Sequence, residues 1–128
     1  MITTAINCET DLVQVAAALH DARFTADAIK YDSESDTISL KCWVLGRSPK
    51  EERVSRRWKG NRLTFSTVMG CKIETREAAP YYELATIRFD KQDCRMDLVA
   101  HYGIEISFRV RELLGTLVET GETEERWK

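Results

Sequence analysis

The sequence predicts one α+β domain: six or seven mainly antiparallel strands forming a curled sheet, a barrel or a small sandwich, with an N-terminal and a C-terminal helix. Three observations predict it. Apolar residues recur at every second position in several separate stretches, the pattern of half-buried strands. One stretch near each terminus repeats apolar residues at helical spacing instead. The length of 128 residues is one domain's worth, enough to bury roughly two thirds of the surface its unfolded chain exposes. Residues 1–121 are assigned to the domain and 122–128 to a charged tail.

The first helix is expected over Thr10 to Asp21, where Leu12, Val15, Ala16 and Leu19 share a face and Thr10 is the candidate N-cap. From Ala22 the period becomes two. A strand near Phe24 to Tyr31 changes phase around Ala28-Ile29, which marks a bulge or break, and Asp32 to Asp36 turns the chain. Thr37 to Leu45 alternates cleanly, with Ile38, Leu40, Cys42 and Val44 inward.

Val54 to Trp58 reads as a further strand, with a tight hairpin at Lys59-Gly60-Asn61-Arg62. Leu63 to Ile73 follows as one bent strand or as two joined near Gly70, and Pro80 closes the next loop. Ala85, Ile87 and Phe89 alternate before a turn at Asp90 to Asp93. Cys94, Met96, Leu98 and Ala100 continue the pattern, and His101-Tyr102-Gly103 connects to Ile104, Ile106, Phe108 and Val110. Arg111 to Thr120 is expected to be helical on the stripe Leu113, Leu114, Leu117 and Val118, with Gly121 as its stop. Several strands followed by a C-terminal helix is also the arrangement of a pleckstrin-homology barrel, an analogy of architecture that does not fix function.

Composition excludes more than it assigns. A hydrophobic fraction of 43% with 31% charge argues against disorder. No apolar run approaches a membrane span, and Asn7, Glu9 and Asp11 interrupt any leader-like stretch, so cytoplasm is the expected location. Phosphate-cradling glycine loops and the nucleophile elbow are absent, so no cofactor and no catalytic residue is assigned. Cys8, Cys42, Cys71 and Cys94 are too scattered for a metal knuckle. The last three fall in the inward phase of their strands and read as core, leaving Cys8 as the reactive candidate. The two histidines, His20 and His101, would make a metal site only if a cysteine or carboxylate joined them from afar. Separately, His20 reads as a helix-end residue and His101 as surface.

One asymmetry stands out. From Arg47 to Arg62 the chain carries Arg47, Lys50, Arg53, Arg56, Arg57, Lys59 and Arg62 against Glu51 and Glu52, a local charge of +5 in a chain whose total is −2. Trp43 and Trp58 flank much of it, and rings among cations can stack on unpaired bases. Nucleic acid or another anionic partner is therefore one reading of segment 47–62, with Trp58 included; a hairpin at a sheet edge guarded by charge is the other. A protein-interaction or self-association surface is expected at Trp43, Leu45 and Trp127, because Trp43 and Leu45 take the outward phase. A small non-enzymatic domain that binds a protein partner or a second copy is the leading expectation, with nucleic acid or another anion as the alternative and an enzyme without a recognisable motif as the third.

Asp11-Leu12, Leu19, Asp21-Ala22, Ile29 and Tyr31, with Leu63, Phe65, Val68 and Ile87-Arg88-Phe89 further on, resemble small uncharacterised bacterial proteins of a domain-of-unknown-function family. That resemblance implies a bacterial, cytoplasmic protein and brings no site residues with it.

Overall fold

A computed structural model describes residues 2–45 and 57–124. The elements are β1 (Thr3–Ile6), α1 (Glu9–Ala18), β2 (Arg23–Phe24), a 3-10 turn (Ala26–Ala28), β3 (Ile29–Asp32), β4 (Thr37–Leu45), β5 (Trp58–Phe65), β6 (Val68–Thr75), β7 (Tyr82–Asp90), β8 (Arg95–Ala100), β9 (Ile104–Val110) and β10 (Gly115–Glu124). All ten strands belong to one antiparallel sheet in the order β1-β10-β5-β4-β2-β7-β8-β9-β6, with β3 added beside β4. Four strands separate β5 from β9 in that order, yet the rings of Phe65 and Phe108 lie 5.5 Å apart. The sheet therefore curls back on itself around one core without closing. Register shifts in β6, β7 and β10 supply local bends of the kind a curl needs.

α1 packs against β1 and β7, adding Leu12, Val15 and Leu19 to a core that includes Phe24, Leu40, Leu63, Phe65, Tyr82, Leu84, Met96 and Ile106. Its buried face is the one the spacing predicts, but its N-cap is Cys8 rather than Thr10. Asp11 Oδ2 accepts from the Asn7 amide at 3.0 Å, which closes the first turn, and this bond leads the contacts that hold its carboxyl below the usual range.

Among the described residues the fold class differs from the expectation: ten strands in place of six or seven, and one helix in place of two. The C-terminal helix is strand β10. Its apolar stripe has helical spacing, but Leu113 and Leu114 precede the strand, and Thr116, Val118, Thr120 and Thr123 are β-branched and favour a pleated surface. Gly115, a weak helix residue, is buried where a Cβ would meet the Thr64 carbonyl at 2.7 Å. Gly121 is a left-handed position, φ 80°, inside the register shift between Glu119 and Thr123 rather than a helix stop, and β10 runs on through Glu122–Glu124 within the stretch assigned to a tail.

Two turns also differ from the expectation, and a third position agrees with it. Lys59 to Arg62 lie in β5, paired with β4 on one side and β10 on the other, so no hairpin forms there. Leu63 to Ile73 is two strands, but the joint is Ser66-Thr67, with Thr67 at φ 56°, while Gly70 sits in a bulge that puts Met69 outside. The phase change near Ala28 is a break, filled by the 3-10 turn.

Cys42 is fully buried as expected, whereas Cys94 occupies the turn before β8 at φ 51° and, like Cys71, is half-buried. Burial pushes the Cys42 thiol up to about 12 and raises Cys71 as well. A folded value above the unfolded one means that the unfolded chain loses its proton first. Stability is therefore unaffected by Cys42 below about pH 9 and declines from there towards pH 12. Thiol labelling of the folded chain near pH 8 is expected to modify Cys8 rapidly and to leave Cys42 unmodified until the chain unfolds; rapid labelling of all four thiols would contradict this placement.

Candidate functional site

The outward faces of β3, β4 and β5 form a shallow groove of about 600 Å³. Register builds it in rows. Lys30 pairs with Ser39, and Ser39 with Thr64; one step along, Lys41 pairs with Arg62; beyond that, Trp43 pairs with Gly60. Paired residues project on the same face, so alternation in each strand collects Lys30, Lys41 and Arg62 with Trp43 and the hydroxyls of Thr37, Ser39 and Thr64. Thr25 and Asp27 close one side, the Thr25 hydroxyl donating to the Asp27 carboxylate.

Gly60 explains how the ring fits. A Cβ there would lie 3.2 Å from Trp43 Cζ3 and 2.5 Å from Thr120 Oγ1, so a larger residue would push both side chains from their present positions over β5. Lys41 Nζ stands 5.2 Å from the centre of that indole.

Directly opposed like charges, Lys41 and Arg62, repel unless compensated. Glu122 on β10 compensates them. Lys41 Nζ donates to both of its carboxylate oxygens at 2.7 Å, and this bond, aided by the charges of Lys41 and Arg62, holds the carboxyl below its usual range. Glu122 is half-exposed.

The basic segment is divided by the fold. Arg62 enters the groove, while Lys59 points to the opposite face and lines a smaller cleft of about 240 Å³ with Ile2, Leu19, Val44 and Leu117. Arg57 is exposed ahead of β5. Trp58 is buried and stacked against Arg23, whose guanidinium lies 4.5 Å from the Trp58 ring and 4.6 Å from the Tyr81 ring, so it serves internal packing. Arg47, Lys50, Arg53, Arg56 and Trp127 lie outside the described residues. Of the expected interaction surface, Trp43 belongs to the groove and Leu45 pairs with Trp58 at the end of β4, both half-buried.

Lys30 and Lys41 escaped the sequence reading because they lie outside the charge run; only cross-strand register brings them to Arg62. For the two histidines the sequence sets a condition, a cysteine or carboxylate joining both, and the fold brings His20, Asp21 and His101 together at one corner. Among the described residues no helix is long and apolar enough to cross a membrane. Comparisons with protein-family models, curated proteins and solved structures give no significant match to this chain.

Proposed function

We propose that the chain is a non-enzymatic binding domain whose β3–β4–β5 face takes single-stranded nucleic acid. The observation that carries this reading is the groove itself: three cations, an indole and a row of hydroxyls collected on one sheet face. Lysine and arginine suit phosphates, hydroxyls suit phosphate and sugar oxygens, and a flat ring suits an unstacked base. At Lys41 and Arg62 the competing account of the positive charge, protection of an edge, does not fit the strand order. β5 lies between β10 and β4, and β4 between β5 and its partners β2 and β3, so Lys41 and Arg62 guard no edge. Segment 47–56, with four cations and two glutamates, joins these same two strands in the chain. A protein-interaction surface retains only Trp43 and Leu45 among the described residues, and both are partly covered by their neighbours.

Tryptophan fluorescence provides the test. Adding a short oligothymidylate at low salt is expected to quench emission in the native protein and in a Trp127→Phe variant, but much less in Trp43→Leu. Quenching that survives in Trp43→Leu, or no quenching in any of them, would refute base stacking at this face.

A further inference from the structure

The corner between α1 and β2 carries chemistry that the groove does not use. His20 Nδ1 lies 3.3 Å from Asp21 Oδ2, and His101 Nε2 lies 2.6 Å from Asp21 Oδ1. The two imidazoles stand edge to face with centres 5.7 Å apart, and one donor atom from each of the three side chains falls within 4.8 Å of the others.

The backbone sets this meeting. After α1, the Leu19 and Ala22 amides close the helix end on Val15 and Leu19 carbonyls, and Asp21 adopts φ 65°. That conformation is the usual place of glycine at a helix end, although aspartate tolerates it. The Asp21 amide then donates to the Leu84 carbonyl at 2.8 Å, and the His101 amide donates to the neighbouring Glu83 carbonyl at 2.9 Å. Two consecutive carbonyls of β7 thus hold the helix corner and the β8–β9 turn side by side. The cluster follows from the strand order rather than from a chance approach of two long side chains.

We propose that His20, Asp21 and His101 bind a borderline divalent transition ion, with zinc as the reference case. Two imidazoles and one carboxylate are a donor set that zinc, cobalt, nickel and copper accept and that magnesium and calcium, which favour all-oxygen shells, do not. Zinc bound to nitrogen or carboxylate oxygen at roughly 2.0–2.2 Å in a tetrahedral shell places its ligand atoms roughly 3.3 Å apart. The two imidazoles meet different carboxylate oxygens, Oδ2 for His20 and Oδ1 for His101, so ligation through one oxygen requires the three donor atoms, now within 4.8 Å of one another, to close to that spacing as the metal replaces the hydrogen bond. All three side chains are about half exposed, at 57%, 55% and 43%, so the solvent side stays open and water completes the shell. The ion would lie outside the groove and is independent of nucleic-acid binding: none of its three ligands is a groove residue.

Cobalt(II) is the probe, added to the untagged full chain carrying Cys8→Ser so that the exposed thiol cannot supply a ligand. One equivalent of cobalt is expected to give the visible absorption of a low-symmetry nitrogen–oxygen site, and zinc is expected to displace it. Zinc should also raise the melting temperature, because an ion that binds only the folded chain stabilises it. His20→Gln and His101→Gln, both at exposed positions, should each weaken binding at least roughly tenfold, the effect of removing one ligand. Asp21→Asn keeps the left-handed conformation available and should weaken it similarly. Absence of cobalt binding would overturn the proposal, as would full binding by a folded His20→Gln/His101→Gln double variant.

Discussion

Reversing Lys41 and Arg62 together to glutamate is expected to reduce affinity for a single-stranded oligonucleotide by roughly a hundredfold, about tenfold at low salt for each phosphate deprived of its cation. The two side chains are register partners in the same row of the groove, so each reversal also places an anion beside Glu122. The change in affinity must be separated from damage to the fold, and Glu122 provides the means. Glu122→Ala removes the carboxylate that Lys41 now holds at 2.7 Å and frees that cation for a ligand. It should strengthen binding by several-fold, an effect opposite in sign to the double reversal. Weaker binding by Glu122→Ala would mean that the ion pair shapes the site rather than occupying it. Equilibrium anisotropy titrations, with circular dichroism as a check on folding, read both effects.

Gly103→Ala is expected to lower stability by about 3 kcal/mol or more, a drop of roughly 12 °C in melting temperature for a domain of this size. Gly103 has φ 76°, where a Cβ strains the backbone. The same Cβ would lie 2.8 Å from both the Glu77 carbonyl and the buried Tyr82 ring. Neither neighbour can yield easily. Tyr82 is among the largest fully buried side chains, its hydroxyl donates to the Glu77 carbonyl at 2.9 Å, and the Arg76 and Glu77 amides both donate to the Gly103 carbonyl. Thermal or urea unfolding would read the change. A decrease below about 1 kcal/mol would show that this turn adapts in a way its neighbours do not suggest.

Local patterns made part of this legible. Alternation over Thr37 to Leu45 and Ile104 to Val110 places those strands and their inward faces correctly, because each has one face in the core and one in solvent. The helix face of Leu12, Val15 and Leu19 follows for the same reason. What failed was ambiguous locally and decided by distant parts of the chain. Leu113, Leu114, Leu117 and Val118 have helical spacing, yet the first two precede β10, which is fixed by β5 and β1 on its two sides. Gly60 and Asn61 look like a turn, but Gly60 serves the close approach of Trp43 and Thr120 across two neighbouring strands. The charge run 47–62 was visible, but its division between two faces and the pairing of Arg62 with Lys41 depend on register. His20 and Asp21 are adjacent in sequence; the arrival of His101 depends on β7, which no spacing between the histidines reveals.

The most direct test of the sheet face as a nucleic-acid site is the salt dependence of binding, measured with single- and double-stranded oligonucleotides of one sequence. The single strand is expected to bind more tightly, with a logarithmic salt slope that becomes shallower by roughly 0.7 for each of Lys30, Lys41 and Arg62 replaced by alanine. Absence of single-strand binding at about 50 mM salt, where phosphate contacts are strong, or a slope unchanged in the triple variant, would contradict it.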